Sequence, residues 1–128
     1  MFFESCSDVL TAGLHGSTFG GNPLAAAGAC HVLSRIDAQM LQEVREKSEY
    51  IFDTLSLADG VKSVSGMGLM IGIETEADAS AVVGECMKRG VLVIKAKNKV
   101  RLLPALNIPW ELLCRAVKVI LEVASELK

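Results

Sequence analysis

The sequence predicts an α+β fold in which helices pack on one face of a small, largely antiparallel sheet. Two segments carry apolar residues at the three- and four-residue steps of amphipathic helices. Between and after them lie strand-like segments joined by short turns. From residue 37 onward, the predicted order is therefore helix, strand, strand, helix, strand, strand, helix.

The first predicted helix follows a glycine-rich segment. Residues 1–12 are expected to form a short approach, and residues 13–23 contain four glycines. Asn22 is a good N-cap and Pro23 suits the first helical turn, so a helix should run from Pro23 to about Ile36. Its many small residues would allow another backbone to approach closely.

A second helix is predicted over about 38–57. Its buried stripe is expected to contain four apolar residues at helical spacing, Leu41, Val44, Ile51 and Leu55. Glu43 and Lys47 form an i,i+4 pair that we place on the opposite side of this helix. Gly60 marks its end.

Two strands and a third helix should follow. Val61–Val64 leads into Gly66-Met67-Gly68, which is typical of a tight turn with positive φ, and Leu69–Glu74 continues as the next strand. The third helix is expected over about 78–89, with Asp78 as its cap and Gly90 after its end.

A hairpin and a last helix complete the prediction. The β-branched segment Val91–Ile94 is predicted as a strand, and the turn 96–99 joins it to Val100–Leu103. A helix should begin near Pro109. Its apolar stripe is expected to contain Leu113, Ala116 or Val117, Ile120, Ala124 and Leu127.

Composition excludes several classes of function. The 128 residues contain 51% hydrophobic residues, and 13 Lys and Arg stand against 15 Asp and Glu. We therefore expect no nucleic-acid partner, and no apolar run approaches the length of a membrane span. Met1–Glu4 lacks the features of a signal peptide. The mean hydropathy of +0.39 is high for a small domain and predicts apolar surface that a partner covers.

The cysteines indicate reduced thiols and a cytoplasmic location. They are widely spaced and form no C-x-x-C pair. Neither His15 nor His31 is spaced to complete a zinc site with them, so no metal is expected. The four cysteines are Cys6, Cys30, Cys86 and Cys114.

Two other patterns carry little chemistry. Gly66, Gly68 and Gly72 resemble a dinucleotide fingerprint only loosely, because the third glycine comes one residue late and a strand follows it. Lys97 and Lys99 flank a turn and are interpreted as solvated charges.

The segment Gly13–Pro23 is the most informative one. A glycine-rich loop, the hydroxyls of Ser17 and Thr18, and the free amides of a helix start could together hold a phosphate. The same residues are also typical of an ordinary loop and cap. From the residues alone both interpretations remain open, and a stand-alone phosphate or nucleotide binder would need further pocket walls.

The segment His15–Ala25, HGSTFGGNPLA, resembles a signature of the class III aminotransferases, the ornithine-aminotransferase-like enzymes that use pyridoxal 5'-phosphate. Val64–Glu74 is similar to that family's V-R-G-x-G-L-M-x-G-I-E strand pair. Gly90–Leu92 and Val100–Leu106 are similar to its G-V-L and R-L-L-P-P-L segments. The resemblance covers nearly the whole chain and is strongest to the acetylornithine aminotransferase subgroup.

The resemblance implies a binding role for three residues. Thr18 matches the threonine that hydrogen-bonds the cofactor phosphate in the neighbouring subunit of a homodimer. Ser17 matches a residue associated with substrate binding, and Arg101 matches the arginine that binds a substrate carboxylate, a role suited to a planar guanidinium. His15 would help to shape the loop. No catalytic residue is assigned within the chain.

Two positions depart from the family pattern. Ser65 stands where the family usually has arginine, and Ala105 replaces the second proline of R-L-L-P-P-L. The first change alters a local ion pair. The second loosens the turn that follows Arg101 and weakens the assignment of that residue.

The resemblance also implies a division of the chain and a missing part. Residues 1–36 would come from the edge of the large domain, and residues 37–128 would form the C-terminal small domain of the aspartate-aminotransferase-like architecture (fold type I). The family's cofactor-bonding lysine lies upstream of the glycine-rich loop, so we expect the chain to be inactive alone and not to bind the cofactor stably.

The implied reaction moves an amino group from N-acetylornithine, or a related ω-amino substrate, to 2-oxoglutarate in arginine biosynthesis. Ornithine, succinylornithine and 4-aminobutyrate aminotransferases are the alternatives within the family. A non-catalytic dimerising module is the alternative outside it.

Overall fold

The computed structural model describes residues 16–128. The predictions for the approach segment 1–12, for Cys6 and for His15 lie outside these residues. The chain divides into two compact units, the first ending at Ile36 and the second spanning Asp37–Lys128.

The first unit contains helix α1, Pro23–Leu33. The Asn22 side chain accepts a hydrogen bond from the Ala25 amide at 2.9 Å, so the predicted N-cap is confirmed. The predicted end near Ile36 is wrong, because i→i+3 hydrogen bonds replace the helical pattern after Leu33. No residue of α1 is buried.

The second unit contains a four-stranded antiparallel sheet, in agreement with the predicted fold class. Its strand order is β1-β2-β4-β3, so the second and fourth strands are neighbours. The strands are β1 Val61–Met67, β2 Met70–Thr75, β3 Ile94–Ala96 and β4 Lys99–Leu102.

Three helices belong to this unit, and their bounds agree with the prediction to within one or two residues. None of the helices in the described part of the chain is long and apolar enough to cross a membrane. The helices are α2 Ala38–Ser56, α3 Ala79–Lys88 and α4 Trp110–Glu126.

The inner face of α2 follows the predicted stripe only in part. Val44, Ile51 and Leu55 are buried, but Leu41 remains 45% exposed. Lys47 takes the place expected for an apolar residue and is only 2% exposed. Its predicted pair with Glu43 forms at 3.7 Å. The prediction that this pair lies on the outer side of α2 is therefore wrong for Lys47.

Helix α4 provides the other half of the core. Leu113, Val117 and Ile120 are buried as predicted, and Ala124 is buried with them. Leu127 was expected in the same stripe but lies one residue beyond the helix and is 38% exposed. The sequence pattern also overlooked Val123, which is fully buried.

The strand predicted over Val91–Ile94 begins only at Ile94. The Val91 amide donates to the Cys86 carbonyl at 2.9 Å, so this residue still belongs to the turn that ends α3. Its β-branched side chain is half-buried without any strand pairing. The hairpin itself is confirmed, with a tighter turn centred on Lys97 and Asn98.

Arg89 connects the end of α3 to α4. It donates a hydrogen bond to Glu85 at 3.3 Å and another to Glu126 at 3.0 Å. A second, shorter hydrogen bond also joins Arg89 to Glu126. The Arg89 hydrogen bond is the main cause that lowers the pKa of Glu126. For Glu85, the hydrogen bond from Lys88 is the largest cause that lowers the pKa, and the hydrogen bond from Arg89 lowers it further.

These lowered pKa values predict how stability responds to acid. A carboxyl whose pKa is depressed by folding stabilises the protein above its unfolded pKa of about 4.3. That contribution is lost as the pH falls through the folded pKa. We expect the free energy of urea unfolding to fall less steeply below pH 5 for Arg89→Met than for the parent chain. Lys118→Met should keep the parent's steepness, and an identical acid profile for Arg89→Met would contradict the assignment.

Candidate functional site

One face of the sheet is open, and a row of residues crosses it. Ser65 pairs with Gly72, Gly72 pairs with Arg101, and Arg101 pairs with Ile94, so these four share one face. The residues that alternate with them on the central strands are buried against the helices. Those buried residues are Ile71, Ile73, Val100 and Leu102.

Arg101 stands at the middle of this open face. Its residue is half-buried, and its Nε atom is buried without a hydrogen-bond partner in the described part of the chain. A buried donor without a partner costs free energy comparable to a lost hydrogen bond. Arg101 therefore keeps hydrogen-bonding capacity that residues 16–128 do not use.

Arg101 lines two hollows in the surface. One has a volume of about 540 Å³ and lies between β4 and α4, with Pro104 and Leu112 among its apolar walls. The other has a volume of about 570 Å³ and lies over the sheet, with Ser65, Met70 and Lys99 among its walls. Both volumes are in the range of small-molecule sites.

Lys99 precedes Arg101 by two residues and lies on the same face of β4. Its Nζ donates to the Ser65 hydroxyl at 2.8 Å. The two residues are separated by β2, and Lys99 crosses that strand at Gly72, where an added Cβ would meet Lys99 Cδ at 3.2 Å. The interpretation of Lys99 as a solvated charge is therefore wrong, because the residue is half-buried and anchored across the sheet.

Among residues 16–128, neither cation on this face has an acidic partner. Within residues 16–128, no ion pair reaches Arg101 or Lys99. Arg89 also lines the hollow between β4 and α4, but Glu85, Glu122 and Glu126 neutralise it. Arg101 and Lys99 are thus two neighbouring cations on the open face that have no ion pair among residues 16–128.

A buried lysine supports the segment that follows Arg101. Lys47 Nζ lies 3.5 Å from the Leu106 carbonyl and 3.7 Å from a Glu43 carboxylate oxygen. This contact holds the chain next to Ala105, where the family pattern has a proline. Sequence reasoning missed this role, although the spacing of Lys47 from Val44 and Ile51 was a signal that it faces the core.

The glycine-rich loop belongs to the first unit. Ser17 and Thr18 are exposed, and Gly21 has a φ of +73°. An added Cβ on Gly20 would lie 3.0 Å from Ser17 Oγ, so the backbone there is close to that hydroxyl. Two hydroxyls beside a capped helix start are a donor set that suits a phosphate. Arg101 lies in the second unit, so the predicted site residues belong to two different units.

The three thiols in the described part of the chain belong to no cluster for metal binding. Among residues 16–128, no group of three or more His, Cys, Asp or Glu is placed to hold a metal ion. Cys30 is exposed, Cys114 is half-buried and Cys86 is buried, where desolvation raises the pKa of its thiol.

Comparison with known proteins agrees with the resemblance. The family model "Aminotransferase class-III" matches residues 4–123. The acetylornithine aminotransferase of Haemophilus ducreyi is 42% identical over 126 residues, which cover 97% of this chain and 32% of that protein. The acetylornithine aminotransferase of Clostridium acetobutylicum is 41% identical, covering 89% of this chain and 31% of that protein.

Solved structures agree as well. Ornithine aminotransferase from Toxoplasma gondii superposes with a TM-score of 0.76 and 30% identity, covering 94% of this chain and 31% of that one. Acetylornithine aminotransferase from Elizabethkingia anophelis superposes with a TM-score of 0.72 and 30% identity, covering 93% and 34%. The chain thus spans about a third of the length of the relatives it matches.

Proposed function

This chain belongs to the class III aminotransferase family, and from that membership we propose that it is the C-terminal part of an acetylornithine aminotransferase. The whole enzyme would transfer an amino group from N-acetylornithine, or a related ω-amino substrate, to 2-oxoglutarate. The names of the relatives in Haemophilus ducreyi and Clostridium acetobutylicum support this donor. Because structural neighbours are named ornithine aminotransferase, ornithine is the main alternative amino donor, ahead of succinylornithine and 4-aminobutyrate.

The observation that carries the proposal is the placement of Arg101. Its guanidinium lies on the open face of the sheet, without an ion-pair partner in residues 16–128 and with a buried Nε that lacks a hydrogen bond there. A guanidinium presents a fork of donors that matches a carboxylate. Both the amino donor and 2-oxoglutarate carry a carboxylate for it to bind.

Pyridoxal 5'-phosphate is the cofactor that the family implies. When bound, it supplies the electron sink that amino-group transfer requires. Thr18 is proposed to donate a hydrogen bond to its phosphate, and Ser17 is proposed to contact the substrate. The exposed hydroxyls beside the α1 N-terminus and the positive φ of Gly21 support such a phosphate site.

The remaining parts of the proposal concern the assembly. The enzyme would be a cytoplasmic homodimer in which Thr18 serves the site of the neighbouring subunit. The chain by itself would be inactive and would not hold the cofactor stably, because none of its eight lysines matches the family's cofactor-bonding position. The exposed apolar side chains of α1, Leu24, Val32 and Leu33, support a covered surface in the assembly.

A chimera tests this function. The upstream two thirds of the Haemophilus ducreyi relative would be joined to residues 1–128 of this chain, at the boundary set by their alignment. We expect the chimera to transaminate N-acetylornithine with 2-oxoglutarate, with a higher kcat/KM than for ornithine, succinylornithine or 4-aminobutyrate. The isolated chain should show no turnover with any of these donors.

The chimera must be shown to fold before its activity is interpreted. Size-exclusion chromatography with light scattering and circular dichroism should show a helical dimer. A folded chimera that binds pyridoxal phosphate but transfers no amino group would contradict the proposed function. It would favour a non-catalytic dimerising role for this chain.

A further inference from the structure

We propose that Lys99 is a second carboxylate-binding residue beside Arg101, held over the middle of the sheet by Ser65. The pair would bind a small carboxylate in the hollow over the sheet. The inference deepens the proposed function and rests on it, in that Arg101 is taken to bind a substrate carboxylate.

The backbone places the two cations together. Lys99 and Arg101 are separated by one residue on β4, so they point to the same face with Cα atoms roughly 7 Å apart. The intervening Val100 is fully buried on the other face. Both cations line the same hollow of about 570 Å³, together with Ser65 and Gly66.

The position of the Lys99 side chain is defined by its neighbours. It passes over Gly72, and an added Cβ there would come within 3.2 Å of Lys99 Cδ. The Ser65 hydroxyl accepts a hydrogen bond from Lys99 Nζ at 2.8 Å. Ser65 also donates weakly to the Gly72 carbonyl at 3.4 Å. The lysine is therefore oriented before any ligand arrives.

The charge on this face is available to an anion. The acidic residue nearest in register is Glu74, which pairs with Lys99 across β2 and β4. Its carboxylate instead accepts from Ser63 Oγ and Asn98 Nδ2, both at 3.2 Å. Because a lysine ammonium has three donors and Ser65 takes one, Lys99 keeps donors for a ligand.

Together these residues form a site with two different kinds of cation. The guanidinium of Arg101 suits bidentate contact with a carboxylate, while the ammonium of Lys99 contributes a point charge. The hollow is lined by the polar side chains of Ser65, Lys99 and Arg101 and by the apolar side chains of Met67 and Met70. This composition fits a short carboxylic acid with an apolar chain.

The test is a titration of the 128-residue chain, monitored by NMR of its backbone amides. Glutarate is the probe, and glutaramide, its neutral diamide, is the uncharged control. Glutarate should shift the amides of Gly72 and Gly66 saturably, and glutaramide should not. Lys99→Met should weaken glutarate binding about fivefold, the upper end for a solvent-accessible ion pair.

Further variants separate charge from structure. Lys99→Arg should keep binding within about twofold because it retains the charge. Ser65→Ala should weaken binding about twofold through loss of the orienting hydrogen bond. Lys62→Met removes an exposed charge from β1 of the same sheet and should change nothing. Amide spectra like those of the parent chain would establish that the sheet of each variant is intact. If Lys99→Met unfolds, the comparison of Ser65→Ala with Lys99→Arg tests the role of Lys99 instead.

The outcomes distinguish this inference from the function on which it rests. If Arg101→Gln weakens glutarate binding and Lys99→Met does not, the inference is overturned while the role of Arg101 stands. If only Lys99→Met weakens binding, Lys99 binds the carboxylate without Arg101, and both the paired site and the role of Arg101 are overturned. Absence of saturable shifts with glutarate in the parent chain overturns the site in this chain.

Discussion

Replacing Arg101 with lysine in the chimera should lower kcat/KM for 2-oxoglutarate by roughly 100-fold, about 2.7 kcal/mol of lost transition-state binding. The substitution keeps the charge but removes the fork of donors. Arg101 is half-buried and its buried Nε has no hydrogen-bond partner among residues 16–128. A ligand carboxylate that completes this hydrogen bonding would be poorly replaced by a point charge on a shorter chain.

The steady-state kinetics should separate binding from chemistry. Because a carboxylate contact holds substrate and transition state alike, most of the loss should appear in KM. Arg45→Lys is the matched control, since Arg45 is exposed on α2 and donates only to Gln42 among the described residues. Wild-type kinetics for Arg101→Lys, in a chimera of unchanged fold, would remove Arg101 from the substrate site.

The sequence was sufficient for the fold class because local signals dominate that level. Periodic apolar residues identified α2 and α4, and the caps Asn22 and Asp78 marked helix starts that the structure confirms. The segment Val91–Val93 was misjudged for a physical reason. β-branching predicts strand, but the hydrogen bond from Val91 to Cys86 keeps the chain in the turn that ends α3.

The candidate site depended more on long-range contacts, which sequence patterns do not show. Arg101 was singled out by resemblance, and the structure adds that it lies opposite Gly72 and has no acidic partner in the described chain. The contact between Lys99 and Ser65 could not be predicted, because it requires β2 to lie between β1 and β4. Nothing in the sequence alone specified that strand order.

The high mean hydropathy also has a structural counterpart. Large apolar side chains remain exposed on or beside the open face of the sheet, with Met67 at 87% and Leu103 at 60% exposure. On α1, Leu24 is 85% exposed. Such surface is unusual for a domain that functions alone. It supports the proposal that other parts of a larger assembly cover it.

Gly66, which the sequence predicted in a turn but which lies in β1 opposite Ile71, should be highly sensitive to a single added methyl group. Gly66 has a φ of +151°, which side chains rarely adopt, and an added Cβ would lie 2.1 Å from the Met70 carbonyl oxygen. The strained φ angle and the close contact both involve backbone atoms, so rotating a side chain cannot relieve either of them. Gly66→Ala should therefore reduce the free energy of unfolding by about 3 kcal/mol or more.

Urea unfolding followed by circular dichroism would measure this loss, and the melting temperature should fall by roughly 15 °C for a domain of this size. Gly84→Ala is the matched control. Gly84 lies within α3 and an added Cβ meets nothing within 4 Å, so this change should stabilise the chain by about 0.5–1 kcal/mol. Equal unfolding midpoints for the two variants would show that β1 does not have the described backbone at Gly66. Ser65 precedes Gly66 on β1. Any shift of the β1 backbone in Gly66→Ala would therefore also displace the Ser65 hydroxyl from Lys99.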